Sequence, residues 1–432
     1  MAYAQFRTVP VGQARLHVCS SPKFKTTLIS VVIRQKLSPE TVTKTALLPN
    51  VLQRGTSACP STVKLKRRLD ELYGAALYGD VFKRGENHLL QLSMEIANDR
   101  FLREQTPLLR EGLDFFSQIL LSPATEQDAF PSSYVESEKK NLRQRIESLK
   151  DDKIRYSSQR MIEAMCENEP FALHPYGRIE DLDAIDAKNL FTYYREMLDS
   201  CPVDFYCIGH VSAEEAEEWF RERFEERFSV PRGTPVGGAV QKDVTGEKVV
   251  IERMDVTQGK LNLGLRSGVT AGDPDYPALL VYNGILGGFP HSKLFMNVRE
   301  RASLAYYCSS RVESHKGLVL IHSGIEIGNY EKAVSIIREQ LEAMRRGDIS
   351  DREMEQTKAT LANQLREQQD RNHELVHFHY QSVLTGKERD LEALLADIDR
   401  IGIDDVRRVA EKVKLDTIYF LRDRGGDGDA KN

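Results

Sequence analysis

Two blocks of this chain recur at nearly the same spacing. The run Phe130–Leu142 (FPSSYVESEKKNL) has the layout of Ile349–Leu361 (ISDREMEQTKATL), and Asp204–Gly209 (DFYCIG) corresponds to Asp416–Leu421 (DTIYFL). Members of each pair lie about 215 residues apart. Helix starts resemble one another by chance, but two agreeing offsets point to a duplication. A duplicated chain folds as two similar halves, each with its own apolar interior. Length agrees, because 432 residues are too many for one ordinary core.

Hydrophobic periodicity gives the content of each half. Thr26–Ile33 (TTLISVVI) reads as a buried strand and Asn87–Ala97 as a second, with Leu90, Leu92, Met94 and Ile96 alternating with polar neighbours. Thr45–Arg54, Val63–Leu72 and Pro107–Leu121 have helical spacing, and a charged amphipathic helix runs from Ser132 past Leu149. Asp204–Val211 is a strand and Ala213–Phe228 a helix. Residues 231–246 (PRGTPVGGAVQKDVTG) are rich in glycine and proline and read as a linker. Domains are therefore expected at 1–230 and 247–432. Beyond the linker, Lys260–Leu265 and Leu318–Ile327 are strands. Asp275–Gly287, Tyr330–Arg346, Asp351–Leu384 and Asp404–Val413 are helical, and Asp416–Leu421 is a last strand.

Composition excludes several classes. A net charge of −5 gives no global attraction to nucleic acid or anionic membrane. The basic run Lys64–Arg68 reads as a solvated helix face. Six scattered cysteines, without a C-x-x-C pair, form neither a disulfide framework nor a thiolate metal site. No apolar run reaches the ~20 residues of a membrane span. The start MAYAQFRTVPVG lacks the layout of a signal peptide, so the cytoplasm is the expected location.

The most specific stretch is Gly287–Tyr307 (GGFPHSKLFMNVRERASLAYY). Its glycines and proline open a loop, and Leu294, Phe295 and Val298 predict a short helix starting near Ser292. Ala302–Ser303 turn into a strand from Leu304. Arg299 thus leaves the helix end and Tyr306 opens the strand, a turn that can bring a guanidinium and a phenol to one side of a cleft. The pattern Gly-Gly…Ser-x-Leu-Phe…Arg-Glu-x-x-x-Leu-Ala-Tyr resembles the C-terminal half of pitrilysin/insulinase-type peptidases. This group includes mitochondrial processing peptidase and uses the inverted zinc motif His-x-x-Glu-His. The resemblance implies an α+β (α/β) fold of two homologous halves, each a mainly antiparallel sheet packed with helices, arranged as a clam around a peptide chamber. It also implies that Arg299 and Tyr306 contact substrate near the zinc of an opposite half.

In the catalytic members the two His stand one turn apart on a helix, so that both imidazoles reach one metal, and the Glu is general base to the zinc-bound water. The corresponding positions here, anchored by Gly55-Thr56, are Ala46, Pro49 and Asn50. Alanine has no donor atom, an amide is a poor zinc ligand, and Pro49 either starts the helix or kinks it. The family's third ligand is a Glu seven residues after another Glu. With Glu138 as the earlier one, Arg145 takes the ligand position, and its fixed charge repels a dication. No metal and no cofactor are expected in this chain.

A rival lies in the second half, where His373-Glu374-Leu375-Val376-His377 spells H-E-x-x-H. Its heavily charged context reads as a surface helix, and Glu392 and Glu411 are available as a further ligand without anything pointing to them. Three functions follow. The first is a catalytically inactive homologue acting as the substrate-binding subunit of a two-component peptidase. Its partner is a zinc-bearing paralogous subunit in a heterodimer (a homodimer is the alternative), and its substrate an extended peptide. The second is a peptide- or protein-binding scaffold without proteolytic role. The third is an independent zinc hydrolase using His373, Glu374 and His377.

Overall fold

A computed structural model of the protein describes residues 3–101, 107–230 and 242–425. The first half builds a sheet from β1 (Arg7–Val11), β2 (Ala14–Ser20), β3 (Thr26–Lys36), β4 (Ala76–Arg84), β5 (Asn87–Ala97) and β6 (Val203–Gly209), ordered β1-β2-β6-β3-β5-β4. Its helices are α1 (Val42–Leu52), α2 (Thr62–Glu71), α3 (Leu108–Leu121), α4 (Ser132–Ser148), α5 (Lys153–Met165), α6 (Ala187–Ser200) and α7 (Ala213–Phe224). The second half builds β7 (Lys248–Arg253), β8 (Gly259–Arg266), β9 (Ala305–Glu313), β10 (Leu318–Ile325) and β11 (Lys414–Arg422), ordered β7-β11-β8-β10-β9. Its helices are α8 (Tyr276–Asn283), α9 (Tyr330–Arg346), α10 (Asp351–Glu367), α11 (Asn372–Thr385), α12 (Leu391–Arg400) and α13 (Ile403–Lys412).

Apart from β1 the two sheets have one topology. Each begins with a parallel pair, β2–β6 or β7–β11, and continues antiparallel through β3-β5-β4 or β8-β10-β9. The recurring sequence blocks fall on equivalent elements, since α4 matches α10 and β6 matches β11. The fold is α+β, with two mainly antiparallel sheets packed by helices.

The compact units are not continuous in sequence. The first gathers the described residues of Met1–Glu147, Leu173–Gly237 and Gln368–Tyr380. The second gathers those of Ser148–Ala172, Gly238–Glu367 and Gln381–Asn432. Of the linker read at 231–246, residues 231–241 lie outside the described residues.

This division explains where the sequence reading of long helices departs from the structure. The helix expected past Leu149 stops at Ser148, and Asp152 starts a new one by accepting the backbone N–H groups of Ile154 and Arg155. The helix expected over Asp351–Leu384 breaks at Gln368–Asp370. Each break falls where the chain changes unit, and charged surface residues carry no signal of that.

In the second unit, Met161, Ile162 and Met165 of α5 join Leu318 and Leu320 of β10 and Tyr419 and Leu421 of β11 in one apolar cluster. Gly264 makes room for the helix, because a Cβ there would lie 2.5 Å from the Met165 sulfur. The turn after α5 brings Glu169 to Arg266 of β8 and to Lys316, a buried set of charges. In the first unit, α11 as far as Tyr380 packs on the sheet, with Leu375, Val376 and Tyr380 buried.

Candidate functional site

The positions where the resemblance expects zinc lie in the first unit, on α1 and α4. Ala46 is buried, and Pro49 is buried inside α1, which neither starts nor stops there. A proline deep in a helix removes one backbone bond and costs about 3 kcal/mol when nothing compensates. Here it packs on β4, where a Cβ added at Gly79 would sit 3.0 Å from the Pro49 Cβ. Where the resemblance expects the general base, a pyrrolidine ring thus packs against a glycine of a strand. Asn50 is half-buried.

Arg145 of α4 reaches the residue next to that glycine. Its guanidinium pairs with Asp80 at 2.9 Å and lies 3.8 Å from the centre of the Tyr176 ring, whose hydroxyl it also meets. Glu138, one of the few buried residues of α4, is already paired with Arg54 and accepts Asn141 at 3.1 Å. The donor set at the four positions is a methyl, a pyrrolidine, an amide and a guanidinium that is held in place. These do not fit a zinc ion, and no catalytic step passes through one here. Among the described residues no three His, Cys, Asp or Glu side chains are grouped to hold a metal. Elemental analysis after dialysis should return no stoichiometric zinc. One tightly held zinc per chain would overturn this reading, and His373→Ala would then locate it.

The H-E-x-x-H sequence is not on a solvated helix, contrary to the reading from its charged neighbours. It lies on α11, against the first sheet, and its two histidines meet different partners. His373 Nε2 is 2.6 Å from the Tyr78 hydroxyl and 3.5 Å from the Glu95 carboxylate. His377 packs edge-on against Phe82, ring centres 5.5 Å apart. Burial lowers the pKa of both. They act as polar members of a helix–sheet contact.

Arg299 and Tyr306 lie in the second unit. After α8 the chain makes a wide, π-type turn over Gly284–Gly288. A Cβ on Gly287 would lie 2.6 Å from the Ser310 nitrogen, so glycine lets this turn close onto β9. A second wide helical segment, Phe295–Arg301, is held by buried Leu294 and Val298. Ser303 then takes a left-handed conformation with φ of 52°, and Leu304 N–H donates to the Val298 carbonyl at 3.1 Å. This reverses the chain into β9. Arg299 lies over the Phe295 ring at 4.6 Å, with Glu300 3.6 Å away. Tyr306 is 64% exposed on β9, while burial raises the pKa of its neighbour Tyr307 to about 12. No hydrogen bond joins Arg299 to Tyr306. Asp80 and Tyr176, which fix Arg145, were not legible beforehand, being far from it in sequence and ordinary in context.

A duplicated α+β chain that holds no zinc ligand set at the positions where the resemblance expects one points to an inactive homologue of that class of metallopeptidase. The comparisons agree. Residues 184–361 match the family described as Peptidase M16 inactive domain. The chain is 44% identical to the "Probable inactive metalloprotease YmfF" of Bacillus subtilis (strain 168), over 99% of this chain and 100% of that one. It is 24% identical to the "Uncharacterized zinc protease YmxG" of the same organism, over 55% of this chain and 57% of the other. A solved structure, a conserved protein from Enterococcus faecalis V583, matches with a TM-score of 0.88 and 33% identity, covering 98% of this chain and 99% of that one. The chain belongs to the M16 peptidases, the pitrilysin/insulinase group, as an inactive metallopeptidase homologue. Among the described residues no helix is long and apolar enough to cross a membrane.

Proposed function

We propose that this chain is the non-catalytic, substrate-binding subunit of a two-component cytoplasmic peptidase, paired as a heterodimer with a zinc-bearing paralogue. One contrast carries the reading. The zinc positions hold Ala46, Pro49, Asn50 and a pinned Arg145, whereas Tyr306 stands exposed with its phenol available. A chain that had lost all proteolytic purpose has no reason to keep Arg299 and Tyr306 in the family's spacing. The similarity to both an inactive relative and a zinc-protease relative of one organism supports a divided enzyme. In it the partner supplies zinc and general base. This chain grips an extended peptide through Arg299 and donates a hydrogen bond from Tyr306 to the oxygen that gains charge.

The test is co-expression with the zinc-bearing paralogue from the same genome, isolation of the complex and a peptide-cleavage assay. Cleavage by the complex and none by this chain alone is the expected result. A stable complex whose peptidase activity equals that of the paralogue alone would favour a scaffold.

A further inference from the structure

In the first unit, away from both positions above, three side chains form a hydrogen-bonded relay. Strand pairing assembles it. Thr8 of β1 stands opposite His17 of β2, and β2 runs parallel to β6, which carries Asp204. Thr8 Oγ1 is 2.8 Å from His17 Nδ1, and His17 Nε2 is 3.0 Å from Asp204 Oδ1. The carboxylate and the imidazole are 0% and 1% exposed, whereas Thr8 is exposed on the edge strand. A hydroxyl, a base within hydrogen-bond reach and a buried group that orients the base are the arrangement by which proteins activate a weak nucleophile.

The surroundings favour one tautomer. Burial pushes the Asp204 carboxyl up, but the hydrogen bond from His17 and the charge of Arg15, 2.8 Å away, outweigh it and keep it ionised. A carboxylate can only accept, so His17 donates its Nε2–H to Asp204, and in the neutral imidazole this leaves Nδ1 to accept the Thr8 hydroxyl. His379 lies tilted against His17 with ring centres 4.7 Å apart, and its Nδ1 lies 2.9 Å from the Tyr206 hydroxyl. Burial lowers the pKa of His379 to about 3, so it adds no charge against an imidazolium on His17. Arg15 and the buried Arg34 both act on Asp204, whose carboxylate touches His17 at 3.0 Å and stabilises a cation there. A relay that served only to satisfy the buried carboxylate would need His17 and Arg15 but no exposed hydroxyl beyond them.

We propose that Thr8 is an activated nucleophile that accepts acyl groups from small activated esters, with His17 as general base and Asp204 as the orienting carboxylate. Thr8 Oγ bonds to the acyl carbon as its proton passes to His17 Nδ1. The bond from that carbon to the leaving alcohol breaks, and the imidazolium returns the proton to the departing oxygen. The products are a Thr8 ester and a free alcohol, and water attacking by the same route regenerates Thr8 and releases the acid. The open edge strand suits small, unhindered acyl donors. This inference is independent of the zinc-partner reading.

The test uses the full chain with p-nitrophenyl acetate at neutral pH, reading p-nitrophenolate release and locating added acetyl groups by peptide mass spectrometry. Acetyl should appear on Thr8 about a hundredfold faster than on the exposed Thr257, the low end of what a positioned base supplies. Thr8→Ser should keep the reaction and Thr8→Val abolish it, while His17→Asn should remove the hundredfold advantage. Replacing buried His17 risks the fold, so the two exposed Thr8 variants, with unchanged melting curves, decide the matter. Acetylation confined to lysines, or equal on Thr8 and Thr257, overturns the proposal.

Discussion

Tyr306→Phe should lower kcat/KM of the two-chain peptidase about a hundredfold, the scale of losing one donor to a developing oxyanion, ~2.7 kcal/mol. The substitution removes one hydroxyl and hardly changes volume, and Tyr306 is 64% exposed, so the fold has little at stake. Zinc content and association should therefore be those of the unaltered complex. Arg299→Ala removes a charged grip on substrate and should also reduce kcat/KM. Its guanidinium rests on Phe295, so a small packing loss accompanies it, and Tyr306→Phe is the cleaner measurement. If both groups meet the same reacting region, the double variant should lose less than the sum of the single losses. Full activity for both variants, in a complex shown to be intact, would falsify the role assigned to the pair.

The features legible in the sequence were those with local causes. β3 is a continuous apolar run because both its faces are buried, β5 sets Leu90, Leu92, Met94 and Ile96 at alternate positions, and α9 spans Tyr330–Arg346 as its periodicity indicates. The turn at Ser303 and the strand that follows were readable because glycines, a short amphipathic run and an aromatic run lie consecutively. β4 was not readable. Its residues are mostly half-buried or exposed, and its partner β5, not a hydrophobic alternation, makes it a strand. That Ala46, Pro49, Asn50 and Arg145 stand where the resemblance expects zinc ligands and base could be read residue by residue once a motif supplied the register. Pro49 could not be placed, since a mid-helix proline depends on Gly79, thirty positions away. The histidines of α11 show the same limit. Charge around them suggested solvent, while Leu375, Val376 and Tyr380 carry the contact that buries the helix. The Thr8–His17–Asp204 relay joins positions nearly two hundred residues apart, and only the parallel pairing of β2 with β6 brings them together.

Glu169→Gln should be among the most destabilising single changes outside the apolar core. Glu169 sits in the turn after α5, its side chain 6% exposed. It accepts Arg266 at 2.6 Å, and Lys316, whose side chain is fully buried, at 2.7 Å. Arg266 also donates to Asp416 at 2.7 Å and to the Met165 carbonyl at 2.9 Å, which ties α5 to β8 and β11. Glutamine keeps the size but removes the negative charge that both buried cations face. Removing one partner of a buried ion pair costs about 3–5 kcal/mol, because the other charge stays desolvated. The urea midpoint should fall accordingly with an unchanged slope. Glu167→Gln, which loses only the exposed pair with Lys248, should leave the midpoint where it is. Acid provides a second readout. Burial pushes the Glu169 carboxyl up, but hydrogen bonds from Arg266 and Lys316 outweigh it and hold it below its ordinary value of 4.5. Its contribution is therefore complete above that value and is lost as pH falls through the lower folded-state pKa. The stability gap between the unaltered chain and Glu169→Gln should be full at neutral pH and close in that acid range. A midpoint unmoved at neutral pH would mean that the Glu169 charge does not hold α5, and that its apolar cluster and the bonds of Tyr156 and Arg160 to Glu252 do.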